Sequence, residues 1–165
     1  MSKELNPIHL KRLYLAGPLF SEAELTYNKY LKEILSPYFE VYLPQEDGGL
    51  MVKMVEDGIP IDTAAQKVFI GDMRAIKECD LLLIILDGRS VDEGAAFELG
   101  FAFAIGRQCI GLQTDMRRLL PLGNNPMLSC ALNQTFQSVD ELLAWAATEV
   151  GNSHSHNKEQ RLISH

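Results

Sequence analysis

The sequence predicts an α/β protein: one doubly wound, five-stranded, mostly parallel sheet of the Rossmann or flavodoxin-like kind, flanked by helices. Three observations carry this. Short β-like runs alternate with helical stripes, an order that feeds successive strands into one parallel sheet. The run Leu81-Leu-Leu-Ile-Ile-Leu86 is apolar without alternation, as in a parallel strand covered on both faces. Turn residues follow the first three strands, at Gly17-Pro18, Gln45 to Gly49 and Gly88 to Ser90. Those carboxyl ends are where such sheets bind ligands.

Residues 1–10 read as a loose lead-in. Arg12 to Ala16 is the first strand, stopped by Gly17-Pro18. Ser21 and Glu24 form a capping box for a helix reaching about Ser36. Phe39 to Leu43 is the second strand, and Gln45 to Gly49 a polar loop. Leu50 to Glu56 is compatible with a short helix. Asp62-Thr63 is expected to cap a helix to about Glu78 whose apolar face holds Ala65, Val68, Phe69, Ile76 and Cys79. The third strand lies within Asp80 to Asp87, and an almost wholly apolar helix follows it. Gln108 to Gln113 is the next strand. Thr114 to Met127 is a long loop with room for a short helix at Met116 to Leu120. Thr135-Phe136 is a last short strand. Ser138 and Glu141 cap a final helix to Val150, so the domain spans 11–150. Residues 151–165 read as a polar, mobile tail.

The chain has 165 residues, 47% hydrophobic and 22% charged, which suits one domain with a sizeable core. A net charge of −7 argues against a phosphate-backbone footprint and so against nucleic acid as partner. Cys79, Cys109 and Cys130 adjoin apolar runs without pairing as CxxC, and read as small buried hydrophobes in a reducing compartment. No run approaches a membrane span, and the polar first residues do not resemble a signal region, so a cytoplasmic location is expected.

The chemistry centres on the helix after the third strand. Between Gly94 and Gly106 its one charged side chain is Glu98. A helix apolar all round is normally buried, and a buried Glu needs partners or a shifted pKa. Glu98 is therefore either a satisfied anchor or a functional carboxylate. Asp72 lies four residues from Val68 and Ile76, on the inner face of its own helix, unless it sits at the edge of the stripe. Asp92 and Ser90 compete as N-cap of the apolar helix. The electropositive helix start is expected to keep Glu98 ionised and fit for nucleophilic attack, with Asp72 as proton donor and Asp92 orienting a polar ligand edge. There is no Cys/His zinc pattern, Walker loop, Gly-x-Ser-x-Gly or dinucleotide loop, so neither metal nor cofactor is called for. Paired carboxylates without a metal match glycoside chemistry.

The chain resembles the nucleoside 2-deoxyribosyltransferases. The carriers are Leu13-Tyr-Leu-Ala-Gly-Pro-Leu-Phe20, Gly71-Asp72 with Ile76 and Cys79-Asp80, Asp92-Glu-Gly-Ala-Ala-Phe-Glu-Leu-Gly-Phe-Ala102, and Asn125-Pro-Met127. The resemblance implies ping-pong exchange of purine or pyrimidine bases on 2′-deoxyribose, acting on nucleosides and free bases in nucleotide salvage. It implies that Glu98 attacks C1′, that Asp72 moves the base proton, and that Tyr14 holds Glu98. Asp92 would bind the base, with Gln45 or Asp47 as a further contact, and Gly17 and Phe20 would border the substrate. Asn125 and Met127 would reach a neighbouring subunit's pocket, which implies a homo-oligomer with the apolar helix in its interface. Two other readings remain open. One is a hydrolase of 2′-deoxynucleosides or their 5′-monophosphates using the same Glu. The other is a non-catalytic nucleotide sensor.

Overall fold

The computed structural model describes residues 10–115, 117 and 123–162, with side chains as far as Val150. Strand β1 (Arg12–Ala16) leads into α1 (Glu22–Leu35), then β2 (Glu40–Tyr42), a π-helical turn (Pro44–Gly48), α2 (Met51–Glu56) and α3 (Ile61–Glu78). Next come β3 (Leu81–Ile85), α4 (Glu93–Ala104), β4 (Gln108–Leu112), α5 (Pro126–Ser129), β5 (Gln134–Phe136) and α6 (Val139–Leu162). The five strands form one sheet in the order β2-β1-β3-β4-β5, and every pair is parallel. The order reverses beside β1, since the chain steps outward to β2 and then returns to β3 on the other side of β1. The carboxyl ends of β1 and β3 therefore border the switch point where such sheets place ligands.

Side-chain alternation divides the core in two. Leu13 and Leu15 of β1, with Leu81, Leu83 and Ile85 of β3, pack with Leu31 and Leu35 of α1 and Leu142 and Ala146 of α6. Tyr14, Ala16, Leu82 and Ile84 face the other way, onto Ala75 and Ile76 of α3 and Ala95, Leu99 and Ala102 of α4. Period-2 alternation of a covered strand produces this division. It puts one polar side chain, Tyr14, on the α3/α4 side of β1.

Several local expectations change. Residues 44–48 wind into a π turn rather than a loop, with Pro44 at its start. Helix α3 starts at Ile61 on Pro60, and no side chain caps it, so Asp62 belongs to the first turn. Its buried face holds Ala64, Ala75 and Ile76, while Ala65 and Phe69 are exposed. The stripe is rotated because α3 meets α4 and β1 through small residues, leaving its large aromatic outside. Asp92, not Ser90, caps α4: its carboxylate accepts the Ala95 N–H at 2.9 Å. Only one face of α4 is covered; Phe97 and Phe103 are 55% and 57% exposed. The short helix expected at Met116 to Leu120 falls largely outside the described residues, and the helix α5 lies further on. Helical backbone of α6 continues through the expected tail from Gly151 to Leu162. Cys79 and Cys109 are buried, but Cys130 is exposed, because it lies just past α5 rather than in a strand. Among the described residues, no helix is long and apolar enough to cross a membrane.

Candidate active site

Glu98 lies in the middle of α4, on the side that meets β1. The fully buried Tyr14 donates its hydroxyl to Glu98 Oε1 at 2.7 Å. Tyr42 of β2 sits beside Tyr14 in register and stacks on it, with ring centroids 5.4 Å apart and 17° between planes. Asp72 of α3 comes to the same place. A Cβ added at Gly48, the last residue of the π turn, would lie 2.9 Å from the Tyr42 hydroxyl and 3.0 Å from Asp72 Oδ1. Only glycine fits between those two oxygens without moving them. Asp72 Oδ1 is buried and makes no hydrogen bond. Buried polar atoms nearly always find partners, so an orphaned carboxylate oxygen is a mark of a functional group.

The electrostatics follow from burial. Desolvation pushes the Glu98 carboxyl up to about 8; the Tyr14 hydrogen bond opposes this, and the charges of Asp72 and Asp92 add to it. Desolvation also raises Asp72, to about 6. Burial drives the Tyr14 phenol far above its usual range, helped by the charges of Glu98 and Asp72, so it stays a donor. Tyr42 rises to about 12, first through burial and then through Asp72. Burial thus works against the expected ionised form of Glu98, and the Tyr14 hydrogen bond works for it. The electropositive start of α4 is already engaged by Asp92, and Glu98 sits a turn further in, where burial dominates. The charge of Asp72 raises Glu98, so protonation of one carboxyl bears on the other.

The expected residues thus separate into groups. Tyr14, Asp72 and Glu98 are brought together, with Asp92 at the head of α4 near enough to raise Glu98. Gly17 follows β1 against β3: a Cβ there would lie 2.8 Å from Ile85 Cδ1, so a side chain at this position would have to displace Ile85. Phe20 projects into solvent and is 80% exposed. Gln45 is committed to the scaffold, accepting from Asn28 Nδ2 and donating to Leu25 O, each at 2.9 Å. Asp47 is likewise engaged, by the Leu43 N–H and by Lys32. Asn125 and Met127 stand elsewhere, on α5. They line a cavity of about 510 Å³ with Ala96, Gly100 and the turn Gly88 to Val91. At 100° per residue, Ala96 and Gly100 are each about 160° around α4 from Glu98, so the cavity opens on the opposite side of that helix.

Tyr42, Gly48 and Asn28 are site residues that sequence reasoning did not single out. Alternation in β2 held the signal for Tyr42, since buried Val41 and Leu43 face the α1 side and leave Tyr42 on the side of Tyr14. Asn28 was visible as a polar residue inside an apolar stripe. It is buried and donates to Pro18 O and Gln45 Oε1, tying the Gly-Pro turn to the π turn.

A sheet switch point carrying paired, raised carboxylates is a frame for glycosyl chemistry. A sequence model described as Nucleoside 2-deoxyribosyltransferase matches residues 13–161, and the chain belongs to that family. Three solved structures are similar to it. A conserved protein from Enterococcus faecalis V583 is 26% identical with a TM-score of 0.70, over 85% of this chain and 99% of the other. A 2-deoxyribosyltransferase from the psychrotolerant bacterium Bacillus psychrosaccharolyticus is 25% identical with a TM-score of 0.64, over 80% and 90%. The Clostridium botulinum CMP N-glycosidase BcmB, 23% identical with a TM-score of 0.53 over 84% and 99%, shares the fold. No curated protein matches. The family's description and the Bacillus neighbour both name deoxyribosyl transfer.

Proposed function

We propose that this protein transfers 2′-deoxyribose between nucleobases through a covalent deoxyribosyl-Glu98 intermediate. The observation that carries this is the Tyr14–Glu98 hydrogen bond beside the unpartnered Asp72 carboxylate. One proton shared by two carboxylates is the inventory a two-step exchange requires. In the reactive arrangement the proton is on Asp72 and Glu98 is ionised. Glu98 attacks C1′ as the C1′–N bond breaks, and Asp72 gives its proton to the departing base. The incoming base then loses its N–H proton to Asp72 and attacks C1′, and Glu98 leaves. Each half-reaction returns the pair to its starting charge. Tyr14 holds the attacking oxygen and, by donating to it, favours the ionised form. Asp92, fixed at the head of α4, is assigned to the base.

The second part of the proposal is a homo-oligomer. Asn125 and Met127 face away from their own Glu98, and Met127 is 81% exposed. Phe97 and Phe103 of α4 and Phe69 and Ile70 of α3 are exposed, and the Phe69 and Phe97 rings lie 6.1 Å apart. A large apolar patch of this kind marks an association surface. Association of two copies would cover it and bring Asn125 of one to the sugar bound at Glu98 of the other.

Incubation with deoxyadenosine and free cytosine tests the reading. Transfer yields deoxycytidine and adenine. Adenine and free deoxyribose without deoxycytidine would mean hydrolysis instead, and binding without either would mean a sensor.

A further inference from the structure

Gln113 is a buried polar residue that the chemistry at Glu98 does not use. It stands just past β4 and is 3% exposed. Its side-chain amide meets that of Asn124 in a reciprocal pair: Gln113 Nε2 donates to Asn124 Oδ1 at 3.2 Å, and Asn124 Nδ2 donates to Gln113 Oε1 at 2.9 Å. Gln113 Nε2 also reaches Leu86 O at the end of β3, at 3.5 Å, and the Gln113 N–H donates to Phe136 O of β5 at 2.9 Å. The residue is therefore fixed at the strand ends, and its side chain bridges the Leu86 carbonyl to one loop residue, Asn124. An apolar side chain could fill this place without the cost of burying an amide. What the amide adds is a fixed position for Asn124.

Asn124 stands between two features that turn its position into a presentation. Gly123, with φ of +120°, bends the chain into it. Asn125 follows, and its side-chain oxygen accepts the Met127 N–H at 3.0 Å to cap α5. That bond uses Oδ1, and both Asn125 and Met127 are exposed.

We propose that Gln113 is a positioning residue for the neighbouring protomer's active site, clamping Asn124 so that Asn125 and Met127 are presented across the subunit boundary. This rests on the reading that Asn125 acts in a neighbour's pocket. Gln113 touches no substrate in either protomer. Its loss leaves Glu98, Tyr14 and Asp72 of its own chain intact and loosens the arm that serves the next one.

Subunit mixing tests this. Gln113→Met keeps the volume and removes the amide. Asn124→Ala, from a half-buried loop position, removes the same pair from its other side and covers the case in which Gln113→Met does not fold. Each variant alone is expected to lose kcat/KM by about tenfold or more, because small misplacements of a contacting group are costly. Each is then co-expressed with Glu98→Ala under separate tags. Random pairing joins an intact nucleophile to an intact arm at about a quarter of the sites, so activity returns to about a quarter of wild type. Asn125→Ala with Glu98→Ala is the control and is expected to recover equally. Folded Gln113→Met and Asn124→Ala proteins with wild-type kcat/KM overturn the proposal while the control keeps the trans reading. The proposal also fails if the control recovers and these variants do not, because Gln113 then acts within its own protomer. If the control itself does not recover, the trans reading fails and takes the proposal with it.

Discussion

The two sides of α4 do different work from one helix. On the β1 side Tyr14, Asp72 and Glu98 of one chain meet, buried or half-buried, and the charge of Asp72 raises both Glu98 and Tyr14. On the α5 side the same helix shows small residues, Ala96 and Gly100, to an open cavity edged by Asn125 and the exposed Met127. The first side is packed by the fold and the second stands open. An almost wholly apolar helix spans both, since one face packs on the sheet while Phe97 and Phe103 are exposed.

Substitutions on each side should therefore fail differently. Glu98→Ala is expected to cost the most, about 10⁴-fold or more in transfer, measured as deoxycytidine formed from deoxyadenosine and cytosine. Retention of transfer would remove Glu98 from the mechanism. Asn125→Ala should cost about 10- to 100-fold in kcat/KM with the pH profile unmoved, since it alters sugar positioning and not the proton pair. Tyr14→Phe should cost about tenfold, and here the profile should move. Wild-type transfer is expected to be bell-shaped, falling below about pH 6 as the pair takes a second proton and above about pH 8 as it loses its only one. Tyr14 lowers the Glu98 pKa, so its loss carries the alkaline limb upward and makes the arrangement with the proton on Asp72 rarer.

The smallest effect is on stability. The Glu98 carboxyl is raised from an ordinary 4.5 to about 8, so the folded state binds this proton more tightly than the unfolded one. Its contribution is then most favourable below 4.5 and declines as pH rises toward 8. Glu98→Gln removes the titrating group, so its Tm should exceed that of the wild type at pH 8 and converge with it near pH 5. Thermal unfolding across that range checks the sign.

Much of this was legible in the residues. The parallel sheet followed from the unalternating run at Leu81 to Leu86, and the pairing of Glu98 with Asp72 from charges standing in apolar stripes. What failed did so for physical reasons. The stripe of α3 was misplaced because helix periodicity weights large side chains, whereas the packed face is made of Ala64 and Ala75. The balance at Glu98 was not legible because a sequence shows the helix start but not how deeply the following turns are buried. Gln45 looked free because its partners, Asn28 and Leu25, are distant in the chain. The Gln113–Asn124 clamp joins a strand end to a loop residue, a pairing no local pattern announces.

The covalent role of Glu98 is tested most directly by trapping the intermediate. A 2′-fluoro-2′-deoxyarabinosyl nucleoside suits this, because its electron-withdrawing fluorine destabilises the oxocarbenium-like transition states and slows turnover of the glycosyl-enzyme. The account predicts a protein heavier by one fluorodeoxyarabinosyl group, with the added mass on the peptide containing Glu98, released when free base is added. Attachment to any other side chain, or catalytic turnover of this nucleoside with no attachment to the protein, would contradict it.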